Sequence, residues 1–157
     1  MTTTAFIDTK ARRASASRRI NASPEQIFDL LADPSKHVLF DGSDMVQSPT
    51  GTSERLAMSS TFAMSMKFKL LPYRIGNTVV EFDENTLIAW QHFGKHRWRY
   101  ELSAMDDGTT LVTETFDWST ALSPKAIEAA RYPKANLANI ERTLVRLADV
   151  AESQAAE

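Results

Sequence analysis

The clearest periodicity in the chain is two. Phe62, Met64, Met66 and Phe68 alternate with Ala63, Ser65, Lys67 and Lys69, the signature of a strand with one face in the core. Leu70-Leu71-Pro72-Tyr73 reads as the turn after it. Further strand-like runs lie at 77–83, 87–93, 96–104 and 110–118, parted by short polar links, and such spacing predicts an antiparallel meander. An earlier run, 14–21, is compatible with another strand. Between them Ser23 can cap a helix, Pro24 suits its first position, and Gln26 completes a capping box. Ile27, Phe28, Leu30 and Leu31 supply that helix's apolar face, and Asp33-Pro34 ends it while opening a second short helix. Ser123-Pro124 is another helix start, and Pro133 should kink or restart that helix. Leu137, Ile140, Leu144, Leu147 and Ala151 then repeat at alternating steps of three and four, an amphipathic stripe.

Turn chemistry sets the register. A three-residue loop Asp106-Asp107-Gly108, with Gly108 left-handed, pairs Leu102 with Val112, Tyr100 with Glu114 and Trp98 with Phe116. Aromatic and aliphatic residues then share one face, leaving Arg97, Arg99 and Glu101 on the other. A two-residue loop would mix the faces and lose the apolar one. At Gly94-Lys95 a two-residue hairpin pairs His92 with Arg97 and turns Trp90 outward; a three-residue loop would reverse Trp90, so its direction stays open.

The order is strand, two short helices, a run of antiparallel strands and one long helix. A sheet with one apolar face and a helix with one apolar stripe bury both by wrapping the sheet around the helix. The fold class expected is therefore α+β, with a curved antiparallel sheet gripping the C-terminal helix. Such a grip does not close tightly at both ends, and the gap is a natural ligand cavity. Residues 1–13 read as a flexible N-terminal tail, 14–152 as a single domain and 153–157 as a frayed C-terminus.

Composition narrows the functional classes. Hydrophobic residues at 43% and charged residues at 24% fit a globular core rather than a disordered chain. With 18 Lys+Arg against 20 Asp+Glu the net charge is −2, which argues against bulk attraction to nucleic acid or an acidic membrane. Cysteine is absent, so disulfides, thiolate metal sites and cysteine nucleophiles are excluded. No apolar run is long enough to span a bilayer, and MTTTAFIDTKARR has no signal-peptide core. A cytoplasmic protein without membrane insertion is expected, its oligomeric state open.

The opening RRINASPEQIFDLLADPSKHVLFDGS resembles the strand–helix–helix start of the START-like (SRPBCC, helix-grip) superfamily. NTVVEFDENTLIAWQH, and GTTLVTETFDWS before the last helix, resemble its bacterial polyketide cyclase/dehydrase-like branch. The likeness covers roughly 14–152 and rests on caps, turns and core faces. It implies the helix-grip fold and a lipid, isoprenoid or polyketide-like ligand, while a fold used so variously does not settle activity.

Among candidate residues Glu114 stands out, because its register points it inward beside Tyr100. A buried carboxylate needs a partner or a raised pKa, and either is functional or merely structural. Phe62, Met64, Met66, Phe68, Trp98, Phe116 and Trp118, with Leu137, Ile140 and Leu144 from the helix, suit a pocket for an apolar molecule. They equally describe an ordinary core. His92 and His96 suggest a metal pair, yet the two-residue hairpin sends their rings to opposite sides and no third ligand stands near, so no metal is expected. His37 lies where it can line the cavity mouth, cap or face solvent. Arg12, Arg13, Arg18 and Arg19 form a basic cluster that a solvated strand explains without nucleic acid. Nucleophile-elbow, phosphate-loop and zincin motifs are missing, and no cofactor is expected.

Three functional readings remain. The first is a binder of a small hydrophobic molecule between sheet and helix. The second is a cofactor-independent cyclase or dehydratase using Glu114 and Tyr100. The third is a co-chaperone-like interaction module on the outer sheet face, weakened by that face's charge.

Overall fold

The computed structural model describes residues 1–51 and 54–156. One antiparallel sheet of eight strands runs in the order β1-β2-β8-β7-β6-β5-β4-β3. The strands are β1 (Thr3–Asp8), β2 (Arg13–Ile20), β3 (Val46–Pro49), β4 (Thr61–Phe68), β5 (Leu71–Asp83), β6 (Leu87–Gln91), β7 (Arg97–Ala104) and β8 (Thr110–Asp117). The helices are α1 (Pro24–Leu31), α2 (His37–Phe40) after a 3-10 turn at Pro34–Lys36, α3 (Pro124–Ala129) and α4 (Tyr132–Ala155). The sheet curves around α4, the helix-grip arrangement expected from the alternation of faces.

Local chemistry accounts for most boundaries. The capping box at α1 is formed in both directions: the Gln26 amide donates to Ser23 Oγ at 3.3 Å and the Ser23 amide to Gln26 Oε1 at 3.0 Å. The β7–β8 register is the expected one, with Trp98 opposite Phe116, Tyr100 opposite Glu114 and Leu102 opposite Val112. Gly108 takes φ +81° in the connecting turn, a backbone that glycine adopts without strain. On the outer face Arg97 and Arg99 both reach Glu81, at 3.3 and 3.1 Å, and Arg99 also pairs with Glu101. These half-exposed pairs are worth at most about 1 kcal/mol each.

Four expectations are corrected. Residues 1–13 are not a tail: β1 pairs with β2 from Thr3↔Arg18 to Asp8↔Arg13. Backbone pairing to β2 and the packing of Ala5 against the core hold a segment whose own pattern is weak. Leu71, Pro72 and Tyr73 are strand residues, because the chain reverses through Lys69-Leu70 with Phe68 opposite Leu71. The link between β6 and β7 is longer than a two-residue hairpin: Gln91 pairs with Arg97 and Trp90 with Trp98. Trp90 therefore points inward. The last helix continues to Ala155, so 153–155 are helical, and Glu157 lies outside the described residues. Pro133 restarts the helix, with Arg131 in the left-handed region at φ 59° between α3 and α4.

The core lies between the sheet's inner face and the helices. Ala14, Ala16, Ile20, Val112 and Phe116 from the sheet and Ile140, Leu144, Leu147 and Ala151 from α4 are buried together with Ile27, Phe28 and Leu31 of α1. Gly42, just after α2, locks the short helices to α4. Its amide donates to Thr143 Oγ1 at 2.9 Å and its carbonyl accepts from Arg142 Nε at 2.8 Å. A Cβ at Gly42 would stand 2.2 Å from the Asn139 carbonyl oxygen and 2.6 Å from the Thr143 amide, both rigid backbone. Gly42→Ala is accordingly expected to cost about 3 kcal/mol, read as a lower urea midpoint. An unchanged midpoint would mean that α2 can move off α4 freely.

Candidate functional site

Four neighbouring inner-face positions bring the candidate chemistry together. β8 carries Glu114, β7 places Tyr100 directly opposite it, and β6 adds Trp90 beside them. The Tyr100 hydroxyl donates to Glu114 Oε1 at 2.9 Å, while Glu114 Oε2 is buried with no hydrogen-bond partner. Trp90 lies 5.5 Å from the Tyr100 ring and stacks on His37 at 5.0 Å. Phe62 of β4 closes the cluster edge-on to both Trp90 and His37, at 5.7 and 5.8 Å.

The electrostatics of this wall are those of a dry place. Burial pushes the Glu114 carboxyl up to about 8, the Tyr100 bond pulls it down and the Asp41 charge adds a further upward push. Glu114 is therefore neutral at pH 7. Because Oε1 accepts from Tyr100, the proton resides on Oε2, a buried donor with no partner. Burial and the neighbouring Glu114 carry Tyr100 far above its ordinary value. His37 is buried and its pKa is lowered by that burial, against raising effects from Leu31, Asp33 and Asp41. Its Nε2 lies 2.8 Å from the Leu31 carbonyl, so Nε2 carries the proton of the neutral ring and Nδ1 keeps a lone pair.

Asp41 organises the loop that follows α2. Its carboxylate accepts from the amides of Met45 and Val46 at 3.0 and 2.9 Å and from Ser43 Oγ at 2.8 Å. Its backbone carbonyl accepts from Arg146 of α4. The same negative charge acts on His37, Tyr73, Tyr100 and Glu114, which sets it at their common edge.

The structure distributes the expected ligand-binding residues unevenly. Tyr100, Glu114, Phe116, Trp118, Met64, Ile140 and Leu144 are buried; Phe62, Met66, Trp98 and Leu137 are half-buried; Phe68 is exposed at the end of β4. Two recesses open on the described surface. A cleft of about 670 Å³ lies against β4 and β5, bounded by Pro49, Leu56, Phe62, Arg74 and Asn77. A second, of about 490 Å³, lies by Ile7, Arg12, Trp118 and Lys134. Glu114 and Tyr100 border neither. Phe62 is the shared wall: one side lines the first cleft and the other meets Trp90 and His37.

His92 and His96 do not face opposite sides, because the longer link sets their rings 4.0 Å apart. His96 is brought to about 4 by burial, with His92 adding to the effect. Among the described residues no third His, Asp or Glu joins them in a metal-sized group. Sequence reasoning passed over Asp41 and Thr143. The first had a signal in Asp41-Gly42-Ser43-Asp44, a run rich in turn-forming types; the second was a polar residue beside an apolar helical stripe.

A curved antiparallel sheet gripping a long C-terminal helix is the helix-grip arrangement of START-like proteins. Residues 11–152 match the family described as polyketide cyclase / dehydrase and lipid transport, and the chain belongs to that family. Uncharacterized protein Rv0088 of Mycobacterium tuberculosis is 36% identical over 153 residues, covering 95% of this chain and 68% of that protein. A Rhodobacter sphaeroides crystal structure superposes with a TM-score of 0.72 at 14% identity, over 97% of this chain and 99% of that one. The polyketide cyclase-like protein Cgl2372 of Corynebacterium glutamicum does so at 0.60 and 18%, over 94% and 95%. These two structural likenesses establish the fold.

The raised Glu114 pKa has a signed consequence. The unfolded chain releases this proton near the ordinary 4.5 and the folded one near 8. Between those values folding takes up a proton, so stability falls as pH climbs through the window and levels off above it. Measured by urea unfolding, wild type is expected to lose up to about 1.4 kcal/mol per pH unit relative to Glu114→Gln. Parallel profiles for the two proteins would mean that Glu114 is ionised in the fold.

Proposed function

We propose that this protein binds a small, largely hydrophobic molecule carrying one polar group, gripped between the sheet and α4, with the polar group meeting Glu114. The observation that carries the reading is the unpartnered Oε2 of Glu114 inside an aromatic wall. An orphaned buried polar atom costs about 1–3 kcal/mol, and a ligand oxygen accepting its proton removes that cost. Phe62 lines the 670 Å³ cleft and packs on Trp90 of this wall, so a turn of its ring would open a way from one to the other. The family description, polyketide cyclase / dehydrase and lipid transport, supports a lipid, isoprenoid or polyketide-like ligand.

A second reading rests on the same carboxyl group. With a pKa of about 8, Glu114 holds a proton that is exchangeable near neutral pH, as a general acid requires. In a dehydration it would protonate the leaving hydroxyl, which departs as water. The carboxylate so formed would take the proton from the adjacent carbon as the C=C bond forms, restoring the acid; Tyr100 positions it and no cofactor takes part.

Native mass spectrometry of freshly purified protein, followed by extraction of the bound compound, tests the first reading. A stoichiometric hydrophobic adduct is expected, with Glu114→Leu weakening its rebinding about tenfold for the lost hydrogen bond. A clean apo mass together with no uptake from lipid and polyketide extracts would overturn it. Incubation of the extracted compound separates the two readings: an enzyme converts it, and Glu114→Gln then keeps affinity within about threefold while losing about 100-fold or more in rate. A carrier returns it unchanged.

A further inference from the structure

The turn between β4 and β5 exposes side chains that folding does not use. Phe68 is 52% exposed, Leu70 85%, Leu71 71% and Tyr73 39%, a contiguous apolar tip of the kind that marks an interaction surface. Interleaved with them are Lys67, Lys69 and Arg74, all exposed. Among the described residues none of the three forms an ion pair with an acid. The Lys69 ammonium instead lies 5.7 Å from the Phe68 ring centroid. The chain has no acidic residue between Glu54 and Glu81, so the hairpin's own charges are all positive in a protein whose net charge is −2, while Asp41, from the loop beside it, acts on Tyr73.

Lys69 sits at φ 54° in a two-residue connection where glycine or asparagine is the usual occupant, because a Cβ is strained there.

We propose that the Lys67–Arg74 tip docks this protein on an anionic lipid bilayer, the apolar side chains entering the interface and the three cations resting among the headgroups. Chemistry at the tip matches that of an acidic leaflet on both counts, and surface potentials act over about a Debye length, so the local charge governs rather than the total. A second copy of the chain fits less well, since a two-fold contact at this tip would bring its unpaired cations against their own images. Docking here is adsorption at the interface; no described helix is long and apolar enough to cross a membrane. β4 also carries Phe62, which lines the cleft, so the tip would set the strand pair that bounds the cleft against the lipid surface.

Co-sedimentation with vesicles of phosphatidylcholine alone and of phosphatidylcholine containing about 30% phosphatidylserine tests this. Wild type is expected to sediment with the anionic vesicles only, and less as salt rises from about 0.05 to about 0.5 M. Lys69→Gly should weaken partitioning about fivefold, the contribution of one cation, without lowering the melting temperature, because it also relieves the turn. Leu70→Ser with Leu71→Ser should weaken it at least about tenfold, with the exposed positions leaving the fold intact by circular dichroism. Three results would overturn the proposal: no binding to anionic vesicles, equal binding by wild type and both variants, or a vesicle-free dimer that the serine variant dissolves.

Discussion

A carboxyl group sits where water does not reach, and much of this structure is arranged around that fact. Glu114 is 3% exposed and has one hydrogen-bond partner for two oxygens. With its pKa raised to about 8 the group is the neutral acid at pH 7, and it stays buried because the strand that carries it is held on both sides. β8 lies between β2 and β7 at the sheet's interior. Rotating Glu114 outward would require a one-residue slip that also expels Val112 and Phe116. The alternation that builds the core therefore traps the acid.

The second constraint is the close approach of α2 and α4. Gly42 lies against the α4 backbone without room for a methyl group, and Arg146 reaches back to the Asp41 carbonyl and to Asp44 at 2.7 Å. Asp41 thereby stands at the edge of the aromatic wall, where its charge reinforces the neutrality of Glu114 and Tyr100. The helix that completes the core also fixes the electrostatics of the candidate site. Packing and chemistry share one set of contacts.

The outer face obeys a different logic. Glu81 holds Arg97 and Arg99, and Ser15 bonds Thr115 at 2.8 Å while Ser17 bonds Thr113 at 2.7 Å. These polar groups bond one another across β2, β8 and β7, although Arg97 Nε is buried without a partner. Two other features stand out: a proton donor inside, and apolar side chains with cations at the β4–β5 tip.

Local pattern is enough to specify the strands with strong alternation, the capped start of α1, the stripe of α4 and, through Gly108, the pairing of Tyr100 with Glu114. Side-chain period, cap chemistry and one glycine that must be left-handed are properties of a few neighbouring residues. The remaining features depend on long-range contacts. β1 exists because β2 offers an edge to pair with, not because 3–8 alternate well. Trp90 and the two histidines turned on a loop length that Gly94-Lys95 left ambiguous, and the wider sheet settled it. His37, a residue of a four-residue helix, became a buried stacking partner only because β6 brings Trp90 beneath it. Contacts between residues far apart in the chain are paid for by the whole core, and no local pattern records them.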